Sequence, residues 1–184
     1  MRNNNKVKVL KEGKFFRFVR QGQWEYFKRN NCTDIVIIVA MTADKRVVFV
    51  EQFRPPVKKR VVEFPAGLIN DLKHISRETL LNGARRELLE ETGYRAKRIK
   101  KLMTGPVSGG SSSDLVTVVL AADLKKVSEG GGDELEDIIV HEVVLSKVDA
   151  WLSQMKRKGK LVEPKIYAGL YFLNKYNNFF KTKK

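Results

Sequence analysis

The chain has a single cysteine, Cys32, and so no internal disulfide. That excludes the stapled scaffolds of small secreted domains, and a reducing cytoplasm is the simplest compartment. No apolar run approaches the roughly 20 residues that cross a bilayer. The longest, DIVIIVAM at 34–41, has the length of a strand. MRNNNKVKVL contains no apolar segment of the secretory kind, so no leader is expected. No internal repeat and no proline-rich or polar linker divides the sequence. His74 and His141, the only histidines, have no partners spaced for zinc, and Cys32 has no recognisable base partner and reads as packing.

Acidic residues are outnumbered. Lys and Arg number 36 against 21 Asp and Glu, a net charge of +15 that attracts polyanions of any kind. The basic residues gather at Lys58-Lys59-Arg60, in RAKRIKK (95–101) and in the KTKK tail. They read as a solvated surface, because no arginine–aromatic interleaving or recognition-helix pattern turns them into a nucleic-acid module.

What is present suits one folded domain. The 184 residues are 42% hydrophobic and 31% charged, enough for a real core. The first thirty residues alternate as two strands joined by a Gln-Gly turn. DIVIIVAM predicts a buried strand, VVFVEQF (47–53) the next, and RVVEFPAGLI (60–69) a third that ends at Pro65-Ala66-Gly67. From Ser76, a candidate N-cap, to Thr92 the spacing predicts an amphipathic helix with Gly93 as its stop. Strands are expected at 94–103, 114–121 and 138–145, and helices over SKVDAWLSQMKRKG and EPKIYAGLYFLNKYNNF. The order implies an α/β or α+β sandwich.

One segment of that helix is costly. ARRELLEETG (84–93) places Glu87, Glu90 and Glu91 on one face, where like charges repel at i,i+3 and i,i+4 spacing. Either the acids face solvent and pair with Arg85 and Arg86, or they surround a hard divalent cation that removes the repulsion. EFPAG upstream and the glycine-rich acidic loop EGGGDELED (129–137) downstream favour the cation.

Here the residues resemble the Nudix box. Arg86, Glu87, Leu88, Glu90, Glu91 and Gly93 match its Arg-Glu-aliphatic-x-Glu-Glu-x-Gly core, Tyr94 takes the usually aliphatic position, and Glu78 stands at the family's spacing ahead of the Arg. The sequence departs from the pattern in one respect: ten residues separate Gly67 from Glu78 where the family usually has five, and Leu72 takes the glycine's place. The longer loop bears on substrate fit and leaves the helix intact. Outside the box, VFVEQFRPP, VVEFPAGLI, Pro106 and DELEDIIVHEV resemble the branch that hydrolyses ADP-ribose and nucleoside diphosphate sugars.

The resemblance implies an α/β/α sandwich over 34–184 with a mixed sheet, preceded by an N-terminal β extension, 1–33, at the interface of a homodimer. It implies Mg²⁺, with Mn²⁺ as the alternative, held by the Ala66 carbonyl, Glu87, Glu90 and Glu91. Arg86 would orient Glu90 or Glu87, and Glu78 would sit at the edge of the cluster. Glu134, with Glu136 beside it, would supply the general base from the acidic loop, although DELED alone reads equally as a solvated turn. Arg54, rigidly presented before two prolines, would meet phosphate oxygens, with Glu51 and Gly67 also on the substrate side. Trp24, Tyr26 and Phe53 are candidates for stacking on a base, and Gly109, Gly110 and Ser111–Ser113 for lining the sugar.

The expected function is therefore cleavage of the pyrophosphate of a nucleotide-sugar. Two rivals remain: a Nudix hydrolase of dinucleoside polyphosphates or RNA 5′ ends, and a basic, non-catalytic nucleic-acid-binding protein. The complete glutamate set argues against the last, because a helix without a cation gains nothing from the repulsion.

Overall fold

The computed structural model describes residues 6–30, 32–70, 78–132 and 137–181. The elements are β1 (Lys8–Glu12), β2 (Phe16–Gln21), β3 (Trp24–Arg29), β4 (Asp34–Met41), β5 (Arg46–Arg54), β6 (Lys59–Glu63) and β7 (Ala66–Ile69). There follow α1 (Leu80–Thr92), β8 (Tyr94–Pro106), β9 (Leu115–Lys126), β10 (Ile138–Val144), α2 (Val148–Arg157), β11 (Leu161–Val162) and α3 (Lys165–Lys175).

The central strand explains the layering. In β4, Val36, Ile38 and Ala40 face a cluster completed by Ala84 and Leu88 of α1. Ile37, Val39 and Met41 face the opposite cluster, completed by Val148 and Leu152 of α2 and by Ile166 and Leu173 of α3. A strand covered on both faces has no solvent side to mark with polar residues, which is why DIVIIVAM is apolar without a break. The sheet is mixed: β4 runs parallel to β9 and β6 to β11, while β5 pairs antiparallel with β4, β6 and β10. The fold is thus a mixed α+β sandwich with α1 on one face and α2 and α3 on the other.

Several expectations need correction. RVVEFPAGLI is two strands. Proline cannot donate to a ladder, and at Phe64-Pro65 the chain leaves β5 for β4, against which β7 runs antiparallel, Ala66 opposite Ile37. The Pro65 carbonyl accepts from the Ile38 N–H at 2.8 Å during the crossing. The helix starts at Leu80, with Thr79 as N-cap accepting from the Asn82 N–H. Ser76 lies outside the described residues. An earlier start is opposed by Asn70, which grips the backbone of Glu78 from both sides: Glu78 N–H donates to Asn70 Oδ1 at 2.6 Å, and Asn70 Nδ2 donates to the Glu78 carbonyl at 3.2 Å. Gly93 stops the helix as expected, at φ 73° with its N–H on the Leu89 carbonyl.

The N-terminal segment forms three strands rather than two, β1 pairing with β2 and β2 with β3 in a sheet of their own. This sheet touches the rest of the chain along β3, where Phe27 exchanges backbone hydrogen bonds with Ser111 and Ser113. No helix among the described residues is long and apolar enough to cross a membrane.

Candidate active site

Strand β7 and helix α1 lie side by side, and Arg86 is the centre of what they hold. Its Nη2 donates to the Leu68 carbonyl of β7 at 3.0 Å and its Nε to Glu78 Oε1 at 3.1 Å. Nη1 meets Glu87 Oε1 and Glu90 Oε2, both at 2.9 Å. Burial works against the guanidinium's charge, but Glu78, Glu87 and Glu90 outweigh it and raise its pKa well above the ordinary arginine value. Arg86 is a permanent cation with three carboxylates on it.

Two further contacts press the acids against β7. Glu91 is buried, and its carboxylate accepts from the Ala66 N–H at 3.1 Å. Gly67 stands where any Cβ would overlap the Glu87 carboxyl group. The bare backbone at Gly67 leaves the Glu87 carboxyl group in the place it now holds, and a side chain there would displace it.

The C-terminal end of α1 is tied down from the far side of the sequence. Gly131 N–H donates to the Glu91 carbonyl at 2.9 Å and Gly132 N–H to the Glu90 carbonyl at 3.0 Å. Gly130, Gly131 and Gly132 all have positive φ, at 73°, 111° and 82°. Glu134 and Glu136, the expected bases, follow directly and lie outside the described residues.

Four carboxylates, Glu78, Glu87, Glu90 and Glu91, thus gather around one guanidinium and one strand. Among the described residues no three His, Cys, Asp or Glu side chains are grouped so as to enclose a metal ion by themselves. Glu78, Glu87 and Glu90 converge on Arg86 instead, and Glu91 on the Ala66 N–H. The all-oxygen donor set and the backbone cradle at Gly67 nevertheless match what a hard divalent cation requires.

The other expected residues stand in different surroundings. Glu51 is buried in β5, where Arg60 Nε donates to Oε1 at 2.7 Å, Lys160 Nζ to the same oxygen at 2.5 Å, and His141 Nε2 lies 3.1 Å from Oε2. Arg60 also reaches the side chain and carbonyl of Asp137, so one member of the basic Lys58–Arg60 run is half-buried in an ion network rather than solvated. Arg54 Nε donates to Glu63 Oε2 at 2.8 Å. Trp24 is 65% exposed; with Tyr26, Gly109, Gly110, Ser112 and Ser113 it lines a hollow of about 350 Å³ between the N-terminal sheet and the β8–β9 connection. Phe53 is exposed and Cys32 half-buried. Asn70 and the Arg60–Glu51–Lys160 network were not legible beforehand, since each depends on a contact between distant segments.

This arrangement agrees with comparison to known proteins. The NUDIX domain profile matches residues 33–159. The chain belongs to the Nudix family. Members of this family generally use divalent metal ions. An ADP-ribose pyrophosphatase of Bacillus subtilis (strain 168) is 36% identical over 111 residues, a match covering 60% of this chain and 57% of that protein. The chain therefore spans little more than half the length of that relative. A GDP-mannose pyrophosphatase of Salmonella arizonae is 29% identical over 183 residues, covering 95% of this chain and 87% of the relative. The crystal structure of an ADP compounds hydrolase shares the fold, with a TM-score of 0.72 at 19% identity over 95% of this Nudix chain and 92% of that one.

Proposed function

We propose that this Nudix protein hydrolyses the pyrophosphate bond of ADP-ribose or a related nucleoside diphosphate sugar, releasing a nucleoside monophosphate and a sugar phosphate. The observation that carries the reading is the convergence of Glu78, Glu87 and Glu90 on Arg86, with Glu91 and Gly67 beside them. The names of the relatives supply the substrate class.

Glu87, Glu90, Glu91 and the Ala66 carbonyl would hold a divalent cation, Mg²⁺ before Mn²⁺. When bound, such an ion neutralises the phosphate oxygens and acidifies a water. Arg86 holds Glu87 and Glu90 in place, and Glu78 braces Arg86 while Asn70 braces Glu78. Glu134, or failing that Glu136, takes the proton of the attacking water. The water oxygen bonds to one phosphorus, the bridging P–O bond breaks, and the bridging oxygen leaves on the other phosphate. Arg54 and Glu51 lie on the substrate side in this reading, and Trp24 on the base. Exposed Phe15, Phe16, Trp24 and Phe27 of the N-terminal sheet support a homodimer built through that sheet.

The test is phosphate released from ADP-ribose with Mg²⁺ in the presence of a phosphatase, for the wild type and Glu91→Gln. A loss of at least about 100-fold is expected, and equal rates would overturn the metal assignment. A panel of ADP-ribose, GDP-mannose, a diadenosine polyphosphate and 5′-triphosphate RNA then fixes the substrate. Preference for either of the last two would overturn the choice of branch.

A further inference from the structure

Charge is distributed unevenly along the chain. Residues 145–184 contain ten Lys and Arg against two acids, Asp149 and Glu163, and Glu163 is spent on Lys165. The sequence shows no arginine–aromatic interleaving, but the fold sets lysines from separate elements against aromatic rings. Lys156 of α2 donates to the Tyr167 hydroxyl of α3 at 2.8 Å. Lys175 lies over the rings of Tyr171 and Tyr176, and Lys100 of β8 over Tyr176.

Next to this surface, β10 and α2 enclose a groove of about 560 Å³ lined by Arg46, His141, Lys147, Trp151, Gln154 and Arg157. The groove's one acid, Glu142, accepts from the Tyr94 hydroxyl at 2.7 Å, and Arg46 is held by Asp44. Lys147, Arg157 and Lys158 are exposed and have no acidic partner among the described residues. The two regions meet at the C-terminal end of α2, where Arg157 lines the groove and Lys156 touches Tyr167.

We infer that this α2–α3 face binds single-stranded nucleic acid, the groove and the basic end of α2 taking phosphates while Tyr167 and Tyr171 stack on bases. Charge complementarity selects a polyanion, and the aromatic rings select among polyanions. Tyr167 and Tyr171 are 46% and 59% exposed, one turn apart on the same side of α3. Flat rings beside a cationic track are the means by which proteins hold unpaired strands without reading sequence. A membrane surface fits less well. A helix lying on lipid needs a free aliphatic face, and Ile166, Leu170, Phe172 and Leu173 are already packed in the core.

The inference does not depend on the hydrolytic reading. It is tested by fluorescence anisotropy of a labelled oligouridylate against the whole chain across a KCl series. The wild type should bind with an affinity that falls steeply as salt rises. Each lost phosphate contact makes the slope of log K against log salt shallower by about 0.7, so Lys147→Gln/Arg157→Gln should flatten it by about 1.4. Tyr171→Ala should weaken binding about 10-fold at unchanged slope, with Tyr171→Phe restoring it. All of these side chains are exposed, so thermal unfolding should match the wild type, and turnover of ADP-ribose should too. No binding, an unchanged slope in the double variant, or wild-type affinity in Tyr171→Ala would overturn the inference. So would vesicles of phosphatidylcholine and phosphatidylserine binding more tightly than the RNA and losing that binding in the double variant.

Discussion

Replacing Arg86 by glutamine removes the cation on which three glutamates converge, and their exposures set the cost. The Glu90 side chain is 49% exposed, so its i,i+4 pair is worth only about 0.3–0.5 kcal/mol. Glu78 and Glu87 are 8% and 12% exposed. Leaving a buried carboxylate without its partner costs about 3–5 kcal/mol, and the residual solvent access to Arg86 places the loss at the lower end. We expect about 3 kcal/mol at pH 7. In a chain of this size each kcal/mol lowers Tm by about 2–4 °C, so the transition should fall by about 6–12 °C. The assay is thermal unfolding followed by circular dichroism in buffer free of divalent cations, since a bound cation would offset part of the loss. Adding Glu78→Gln should recover about 1–2 kcal/mol, because the second change removes the orphaned charge. The reasoning is refuted if Arg86→Gln melts within about 2 °C of the wild type, or if the two losses simply add.

Glu51→Gln tests the second ion network through pH. Burial opposes the charge of Glu51, but Lys160, His141 and Arg60 outweigh it and hold its pKa below the ordinary 4.5. A lowered folded pKa gives stability that is present above the unfolded value and lost as pH falls through the folded one. The variant should therefore be about 3 kcal/mol less stable at pH 7 by urea unfolding, and the gap should narrow below about pH 4; a gap that ignores pH contradicts the assignment. Gly67→Ala should cost about 1–3 kcal/mol by overpacking against Glu87. Because the added methyl displaces a carboxylate of the site, turnover of ADP-ribose should fall at least about 10-fold. Unaltered turnover would separate Glu87 from the chemistry.

The parts of this structure legible in the sequence are those with short-range causes. The repulsion among Glu87, Glu90 and Glu91, the apolar run of β4 and the stop at Gly93 depend on neighbours a few positions away. The parts that were not legible depend on crossings. Nothing in RVVEFPAGLI says that the chain changes partner strand at Pro65, because β5 and β4 come together only in the assembled sheet. Thr79 rather than Ser76 caps α1 because Asn70, eight residues back, holds Glu78 outside the helix. Glu51 reads as a polar position in an apolar strand, and only the fold shows that Lys160, more than a hundred residues later, meets it. The aromatic–cation surface of α3 escaped for the same reason: its lysines come from α2 and β8 as well as from α3 itself.

The backbone bonds from Gly131 and Gly132 to the last carbonyls of α1 have a bearing on protein engineering. Helix carbonyls that water would ordinarily satisfy are here claimed by a chain segment reached only after the whole β8–β9 hairpin. Lengthening the tip of that hairpin leaves this closure untouched. Inserting or deleting a single residue between Val127 and Gly132 would unlatch the helix end that carries Glu90 and Glu91.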